Sequence, residues 1–300
     1  MKFSAWLDIC NPWDDLVDVG RECERLGYDG LWVSDHFMPN LGDILGPWQE
    51  CWTSLAALAA LVPRVRIGSL VTGNTLRHPA VLAKQAAQVD IISKGRCILG
   101  IGAGYFQAEH EAYGIPLGTI GERHRRLVEA LQVLRGLFEN QRTTFEGHYY
   151  RLKDAPLAPK PVQARLPILI GGRGEKVMLG IVARYADAWN IGAQPEAAAE
   201  VNRVLDEHCE RIGRDPKTIL RTVCTSVVIS KDPAEVSRVR EGRGWPTAGS
   251  VEEVRDAIGR YRDAGFGEVI VLNHFWGGDA ALHKHRYAQF MEDVAPSFAD

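Results

Sequence analysis

The chain has 300 residues, of which 46% are hydrophobic and 24% charged, and its formal net charge is -3 at pH 7. This composition is typical of a globular protein with a large core, and it provides no basic surface for nucleic acid or anionic lipid. No segment approaches the roughly 18 apolar residues that span a membrane, and no secretory leader precedes the first strand-like segment. We therefore expect a cytoplasmic protein.

Strand-like and helix-like segments alternate along the whole chain. In chain order, the predicted strand–helix units are Phe3–Ile9 with Trp13–Leu26, Gly30–Ser34 with Thr53–Leu61, Val65–Val71 with Pro79–Ile92, Arg96–Ile101 with Glu122–Phe138, Ile168–Ile170 with Glu175–Tyr185, Ala188–Ile191 with Glu196–Ile212, Leu220–Ile229 with Val251–Ala264, and Glu268–Leu272 with Ala281–Val294. A β-hairpin is predicted over residues 143–152, because Glu146-Gly147 lies between two alternating aromatic segments.

Eight such units without a break in composition predict one domain over residues 1–300. This alternation gives a parallel sheet with helices outside it, and eight units favour a closed (β/α)8 TIM barrel with loop insertions over an open sheet. The length fits, since such barrels typically need about 250 residues. Because function in a barrel belongs to the carboxyl ends of the strands, the candidate site residues are those that follow each strand.

The cysteines and most histidines give no sign of a metal site. The six cysteines form no CxxC pair and lie mostly in apolar patterns, so we expect buried free thiols. His283 and His285 lie two apart on a predicted helix and face different directions, which makes a poor pair of ligands. His110, His124 and His208 lie in charged surroundings, and we expect them to be solvated.

The glycine cluster Gly171-Gly172-Arg173-Gly174 is the clearest candidate for a binding site. A predicted strand ends here and a helix is predicted to begin at Glu175, so backbone N–H groups would face an anion. Glycine allows close approach to a phosphate, and Arg173 can add a charge-assisted hydrogen bond. An ordinary tight turn between strand and helix would also explain the glycines.

The glycines of the fourth strand, Gly102 and Gly104, do not form a dinucleotide fingerprint. The segment Gly100-x-Gly102-x-Gly104 fails the GxGxxG spacing, because Tyr105 and Gln107 stand where a further glycine is needed. We interpret it as a flat strand end over which a ring can lie, with an ordinary loop as the alternative.

Polar and aromatic residues follow other strands. His36 could exchange protons near neutral pH, with Asp35 fixing its orientation, although a structural Asp-His pair is the alternative. Candidate substrate contacts, for which core or rim packing is an equal alternative, are Trp48, Tyr105, Phe275 and Trp276.

Five stretches carry a resemblance to a known family: GRCILGIGAGYFQAEHEAYGIP (Gly95–Pro116), GERHRRLVEALQVLRGLF (Gly121–Phe138), FEGHYYRL (Phe145–Leu152), PKPVQARLPILIGGRGEK (Pro159–Lys176) and ARYADAWN (Ala183–Asn190). Through them the chain resembles the luciferase-like monooxygenase superfamily of flavin- and deazaflavin-dependent barrels over almost its whole length. The segment GIGAGYFQAEH is most similar to the branch that uses deazaflavin, coenzyme F-420.

This resemblance implies roles for residues at the strand ends. Gly171–Gly174 would bind the cofactor phosphate, a non-prolyl cis peptide near Leu70-Val71 would support the cofactor ring, and Asp35-His36 would lie near that ring. Tyr105 and Ala108 replace an acidic residue and an asparagine of the sugar-phosphate dehydrogenase branch, which argues against a sugar phosphate substrate. Further cofactor-binding candidates are Thr72, Gly102, Gly104 and Asn190.

The leading hypothesis is hydride transfer between a bound deazaflavin and an organic small molecule, with an FMN-dependent monooxygenase on the same fold as the alternative. A metal-dependent hydrolase is disfavoured because Asp8-Ile9-Cys10-Asn11 offers no HxH ligands after the first strand. A non-catalytic cofactor-binding protein is the remaining alternative. We expect no nucleic-acid or membrane partner, and an exposed helix face could pair two barrels into a homodimer.

Overall fold

The computed structural model describes residues 1–242, 245–274 and 276–299. The strands are β1 (Lys2–Trp6), β2 (Gly30–Asp35), β3 (Arg66–Gly73), β4 (Cys97–Gly102), β5 (Arg142–Glu146), β6 (Arg151–Pro156), β7 (Ile168–Gly171), β8 (Ala188–Gly192), β9 (Leu220–Ile229), β10 (Thr247–Gly249) and β11 (Glu268–Leu272). The helices are α1 (Trp13–Leu26), α2 (Cys51–Leu61), α3 (Pro79–Ile92), α4 (Gln107–Ala112), α5 (Ile120–Glu139), α6 (Met178–Tyr185), α7 (Pro195–Arg211), α8 (Pro233–Arg240), α9 (Val251–Asp263) and α10 (Ala280–Asp293).

Eight parallel strands close into the predicted (β/α)8 barrel. Their order around the barrel is β1-β2-β3-β4-β7-β8-β9-β11, and β11 pairs with β1 to complete the circle. Strands β5 and β6 form the predicted antiparallel hairpin outside the barrel. Strand β10 pairs in parallel with the last residues of β9. The barrel and the hairpin predicted from the sequence are therefore confirmed.

Helix boundaries follow local capping chemistry. Thr119 and Glu122 form a capping box at the start of α5, and Ser250 and Glu253 form another at the start of α9. Helix α1 ends at Gly27, whose φ of 90° suits glycine. Among the described residues, no helix combines the length and apolar character needed to cross a membrane.

The structure differs from the predicted elements at three short segments and at one helix start. Helix α4, helix α8 and strand β10 were not predicted, because each is brief and α8 buries none of its residues. The prediction that a helix begins at Glu175 is wrong. Residues 175–177 form a turn, and α6 begins at Met178.

Large side chains fill the lower part of the barrel. Trp6, Trp32, Ile98, Leu169 and Ile270 belong to one interior cluster, and each is at most 8% exposed. The outward faces of the strands pack against the helices in a second, larger cluster. All six cysteines are free thiols, and five of them are buried, as the sequence predicted. Because the interior is packed, the open space lies at the carboxyl ends of the strands.

An irregularity in β3 shapes that open end. The peptide bond between Leu70 and Val71 is cis, and the pairing of β3 with β4 shifts register between Gly68 and Thr72. The irregular segment approaches β4 so closely that a Cβ atom on Gly100 would lie 1.9 Å from the Ser69 carbonyl oxygen. Glycine is therefore required at position 100 for steric reasons.

The Val71 side chain occupies space that two further glycines leave open. A Cβ atom on Gly171 would lie 2.9 Å from Val71 Cγ2, and one on Gly102 would lie 3.0 Å from the same atom. Both distances are too short for ordinary carbon contacts. The glycines that end β4 and β7 thus accommodate Val71, which lines the cavity at the open end of the barrel.

We expect Gly100→Ala to lower the free energy of unfolding by about 3 kcal/mol, because the new methyl group would overlap the Ser69 carbonyl group. The matched control is Gly259→Ala in the interior of α9, where the nearest atom to a new Cβ lies 3.9 Å away. That change should be neutral or stabilising by up to about 1 kcal/mol. Urea denaturation measures both values, and equal stabilities for the two variants would contradict this packing argument.

Candidate active site

The carboxyl ends of the barrel strands surround a cavity of about 500 Å³. Its lining includes the side chains of Trp6, Leu70, Val71, Cys224 and Leu272 from the barrel strands. Loops after the strands add further residues, so that apolar and aromatic groups dominate the lining. A cavity of this kind, with few polar groups, suits an organic ligand with a planar ring.

His36 follows β2 and is held by a buried carboxylate. Its Nδ1–H donates to Oε2 of Glu109 across 3.1 Å, and the backbone N–H of Phe37 donates to the other carboxylate oxygen across 2.5 Å. Glu109 lies in α4 and is 1% exposed. Because a carboxylate can only accept these bonds, it fixes the imidazole with its proton on Nδ1.

The second nitrogen of His36 faces a phenol. Tyr105 Oη lies 3.3 Å from His36 Nε2 and accepts a hydrogen bond from Asn40 Nδ2 across 2.7 Å. The Tyr105 hydroxyl can therefore donate its own proton to Nε2. Asn40, Tyr105, His36 and Glu109 form a continuous chain of hydrogen bonds, and all four line the cavity.

Asp35 does not orient His36. Its buried carboxylate forms a two-pronged ion pair with Arg77, in which one Nη2–Oδ1 contact measures 3.0 Å. Arg77 Nη2 also lies 3.6 Å from Oε1 of Glu50. The role that the sequence suggested for Asp35 is thus performed by Glu109, and Asp35 neutralises a buried arginine at the edge of the cavity.

A second carboxylate–imidazole pair lies at the same end of the barrel. His274, after β11, donates from Nδ1 to Oδ2 of Asp8, after β1, across 2.7 Å. The imidazole meets the rings of Trp6 and Trp48 edge to face, with centroid distances of 5.5 and 5.9 Å. Burial, together with the neighbouring Asp8 carboxylate, raises the pKa of the Cys10 thiol to about 12.

Two histidines that were expected to be solvated line the cavity. His110 is buried, with Nδ1 donating to the Phe106 carbonyl oxygen and Nε2 bonded to Thr75 Oγ1, both across 2.7 Å. His124 lies in the first turn of α5, where burial and the charge of Arg123 lower its pKa. The expectation was wrong because both histidine side chains lie on the cavity side of their helices, whereas neighbours such as Glu111 and Arg125 are exposed.

The predicted cofactor-binding residues lie together, with one exception. Leu70, Val71, Thr72, Gly102, Gly104, Gly171, Gly172, Arg173 and Asn190 line the cavity, and Gly174 lies beyond it. Some of their polar groups are already bonded. Thr72 Oγ1 accepts from Trp52 Nε1, Asn190 Nδ2 donates to Thr222 Oγ1, and the Gly172 N–H donates to the Asn190 carbonyl oxygen.

The turn after β7 therefore differs from a helix N-terminus. The N–H group of Gly172 is occupied, and α6 begins only at Met178. Arg173 is exposed and forms no ion pair with any described residue. Of the features predicted for this cluster, the arginine side chain and the turn of residues 172–177 are the ones that remain open to an anion.

The four residues predicted to contact the substrate do not all lie in the cavity lining. Trp48 and Tyr105 line the cavity. Trp276 is 8% exposed, lies outside the lining and packs against Tyr287, with ring centroids 4.8 Å apart. Phe275 lies outside the described residues.

Sequence reasoning missed Glu109, His274 and Trp245 as site residues. Glu109 stands five residues after Gly104, in the segment GYFQAEHE. Had a short helix been predicted there, the Glu109 side chain could have been placed near the end of β2. Trp245, which lines the cavity, follows no predicted strand. His274 stands shortly after the end of β11, and only its contact with Asp8, which is distant in the sequence, identifies it as a site residue.

Comparisons with known proteins agree on the fold and on a family. Residues 1–245 match the family model described as luciferase-like monooxygenase. An F-420-dependent glucose-6-phosphate dehydrogenase from Kineococcus radiotolerans is 31% identical over 320 aligned residues, covering 94% of this chain and 92% of that protein. An F-420-dependent hydroxymycolic acid dehydrogenase from Mycobacterium tuberculosis is 29% identical over 276 residues, covering 90% of this chain and 74% of that protein.

A solved structure gives the same architecture. The F-420-dependent secondary alcohol dehydrogenase in complex with an F-420-acetone adduct matches with a TM-score of 0.85 and 22% identity. The match covers 100% of this chain and 99% of that one. At this identity the likeness establishes the fold.

We expect Asp35→Asn to lower the free energy of unfolding by about 3 kcal/mol, because it leaves the largely buried Arg77 guanidinium with only the more distant Glu50 as a counter-charge. The matched control is Asp154→Asn, which breaks an exposed ion pair with Arg142 and should change stability by less than about 1 kcal/mol. Thermal and urea denaturation report both changes. A loss in the control as large as that in Asp35→Asn would contradict the assigned pairing.

Proposed function

The chain belongs to the luciferase-like monooxygenase family, and from this premise we propose that it is a deazaflavin-dependent oxidoreductase that transfers a hydride to or from an organic substrate. The observation that carries the proposal is the cavity itself, which is lined both by Val71 and by an imidazole whose orientation Glu109 fixes. The two F-420-dependent relatives favour deazaflavin over FMN.

Orphaned polar atoms in the cavity fit a heterocyclic cofactor. Ser34 Oγ and Trp48 Nε1 are buried without a hydrogen-bond partner among the described residues, and both residues line the cavity. Buried polar groups are normally bonded, so these two atoms indicate a polar ligand. The carbonyl and ring nitrogen atoms of a deazaflavin supply suitable partners.

The cofactor phosphate would be held at the turn after β7. Arg173 provides a fixed positive charge there, and the exposed Lys176 adds a second in the same turn. Charged donors bind phosphate oxygens more strongly than neutral ones. We therefore assign phosphate binding mainly to side chains of the turn and less to the N-terminus of a helix.

The residues around the ring would manage a proton. When bound, a deazaflavin accepts or delivers a hydride. Loss of a hydride from an alcohol carbon leaves a hydroxyl proton to be removed. His36 Nε2 can accept a proton through the Tyr105 hydroxyl, which passes its own proton on and takes that of the alcohol, because Nδ1 already carries a proton toward Glu109. The carboxylate then stabilises the imidazolium, and Tyr105 positions the ring from the other side.

Anaerobic titration of the purified protein with F-420 and, separately, with FMN tests the choice of cofactor. We expect saturable binding of F-420, followed by absorbance and fluorescence, and a weakened binding in Arg173→Ala. The matched control is Arg184→Ala, a basic residue near the end of α6 outside the cavity lining. Tight FMN binding without F-420 binding would overturn the proposal in favour of an FMN-dependent monooxygenase.

Turnover distinguishes an enzyme from a cofactor-binding protein. With a substrate found in an anaerobic screen for F-420 reduction, we expect His36→Ala and Glu109→Gln to lower kcat by roughly 10²-fold or more while F-420 affinity stays within about threefold. Glu111→Gln, an exposed carboxylate in the same helix, serves as the control and should leave kcat unchanged. A normal kcat in Glu109→Gln would contradict the assigned role.

A further inference from the structure

The polar groups of the cavity disfavour an anionic substrate. Of its lining residues, Asp35 and Glu109 carry carboxylates that are already bonded, and Arg173 is the basic side chain other than histidine. Arg173 lies at the turn assigned to the cofactor phosphate. Arg77 neutralises Asp35, whereas Glu109 is paired only with the imidazole of His36, so the interior has no spare cation to offer an anion.

An indole ring forms one wall of this interior. Trp245 packs on Gly192 at the end of β8, so closely that a Cβ atom on Gly192 would lie 2.1 Å from the ring. Trp245 is 39% exposed and lines the cavity. Glycine at position 192 is therefore needed for the ring to lie against the strand end.

The backbone holds Trp245 in an unfavourable conformation. Its φ is 51°, which a residue with a large side chain rarely adopts. Thr225 Oγ1 donates to its carbonyl oxygen across 2.6 Å, and Gln194 Nε2 donates to the next carbonyl oxygen, that of Pro246, across 2.9 Å. Such strained residues persist where surrounding bonds enforce them, often at ligand sites.

We propose that the substrate is an uncharged, mainly apolar alcohol or the corresponding carbonyl compound, and that Trp245 is a specificity-determining residue that contacts its apolar part. This inference rests on the proposed function. In the oxidative direction the carbinol hydrogen leaves with two electrons as a hydride to the deazaflavin, the hydroxyl proton goes to Tyr105, whose own proton goes to His36 Nε2, and the C–O bond becomes C=O. The aromatic and aliphatic side chains of Trp6, Trp48 and Leu272 complete the apolar surroundings.

Thermal unfolding of the F-420-loaded protein tests the substrate class without requiring turnover. The probes are cyclohexanol, 1-phenylethanol and 2-octanol as neutral compounds, and glucose 6-phosphate and glycerol 3-phosphate as anions. We expect Tm to rise with at least one neutral alcohol and to stay constant with both phosphates, because a ligand that binds the folded state stabilises it. Stabilisation by a phosphate, or by none of the neutral probes, would overturn the proposal.

Two variants test the wall that the Trp245 ring forms, each in a different way. Trp245→Ala deletes the ring and Gly192→Ala displaces it, so both should weaken the affinity for the stabilising alcohol roughly tenfold. Trp245→Phe, which keeps an apolar ring, should stay within about threefold of the parent protein. Ile212→Ala, an exposed residue after α7, should leave the affinity unchanged.

Circular dichroism establishes that each variant is folded, and unchanged alcohol affinity in a folded Trp245→Ala protein would contradict the role of the ring. Failure of the proposed function has a different signature, since it is loss of F-420 binding in the parent protein. In that case the same thermal measurements on the unloaded protein still decide whether neutral alcohols bind in preference to phosphates.

Discussion

The close approach of β3 to β4 and β7 is the constraint on which the open end of the barrel depends. The Ser69 carbonyl oxygen and the Val71 side chain take up the space of absent Cβ atoms at Gly100, Gly102 and Gly171. The glycines are thus part of the packing of the β3 irregularity, and the cavity lining around Val71 follows from it. Any side chain at these positions would push β3 away and change the cavity.

Three buried carboxylates of the site each pair with one histidine or arginine side chain. Glu109 binds His36, Asp8 binds His274, and Asp35 neutralises Arg77. Each pairing joins residues that are distant in the sequence. Because each carboxylate has a partner, the polar groups can remain in an apolar cavity, where an unpartnered charge would be costly.

The sequence predicted the barrel well because alternation of strands and helices is a property of many residues together. Thirteen of the candidate residues chosen from the sequence lie in the cavity lining, since strand ends of a closed barrel converge. Asp35 ends β2 and pairs with Arg77, whereas His36 follows the strand and pairs with Glu109, so two neighbours in the sequence have separate partners in the fold. Glu109 could not be paired with His36 before α4 was placed, and six residues of helix give too weak a pattern for prediction.

The turn after β7 shows a second limit of sequence patterns. Glycines after a strand favour an anion site, but Gly171 also accommodates Val71, and the sequence does not distinguish the two causes. Trp276 illustrates the same ambiguity for aromatic residues. Its position after β11 suggested a place in the cavity, whereas its ring packs against Tyr287 of α10. Which way a loop turns depends on contacts that no local pattern encodes.

Glu109 fixes His36 so that an unprotonated Nε2 faces the Tyr105 hydroxyl in the cavity. Nitrogen-15 NMR of the imidazole, assigned with a His36→Gln variant, measures the tautomer directly. We expect the neutral ring of His36 to carry its proton on Nδ1, and we expect Glu109→Gln to give a mixture of the two tautomers. A neutral His36 protonated on Nε2 in the parent protein would contradict this assignment.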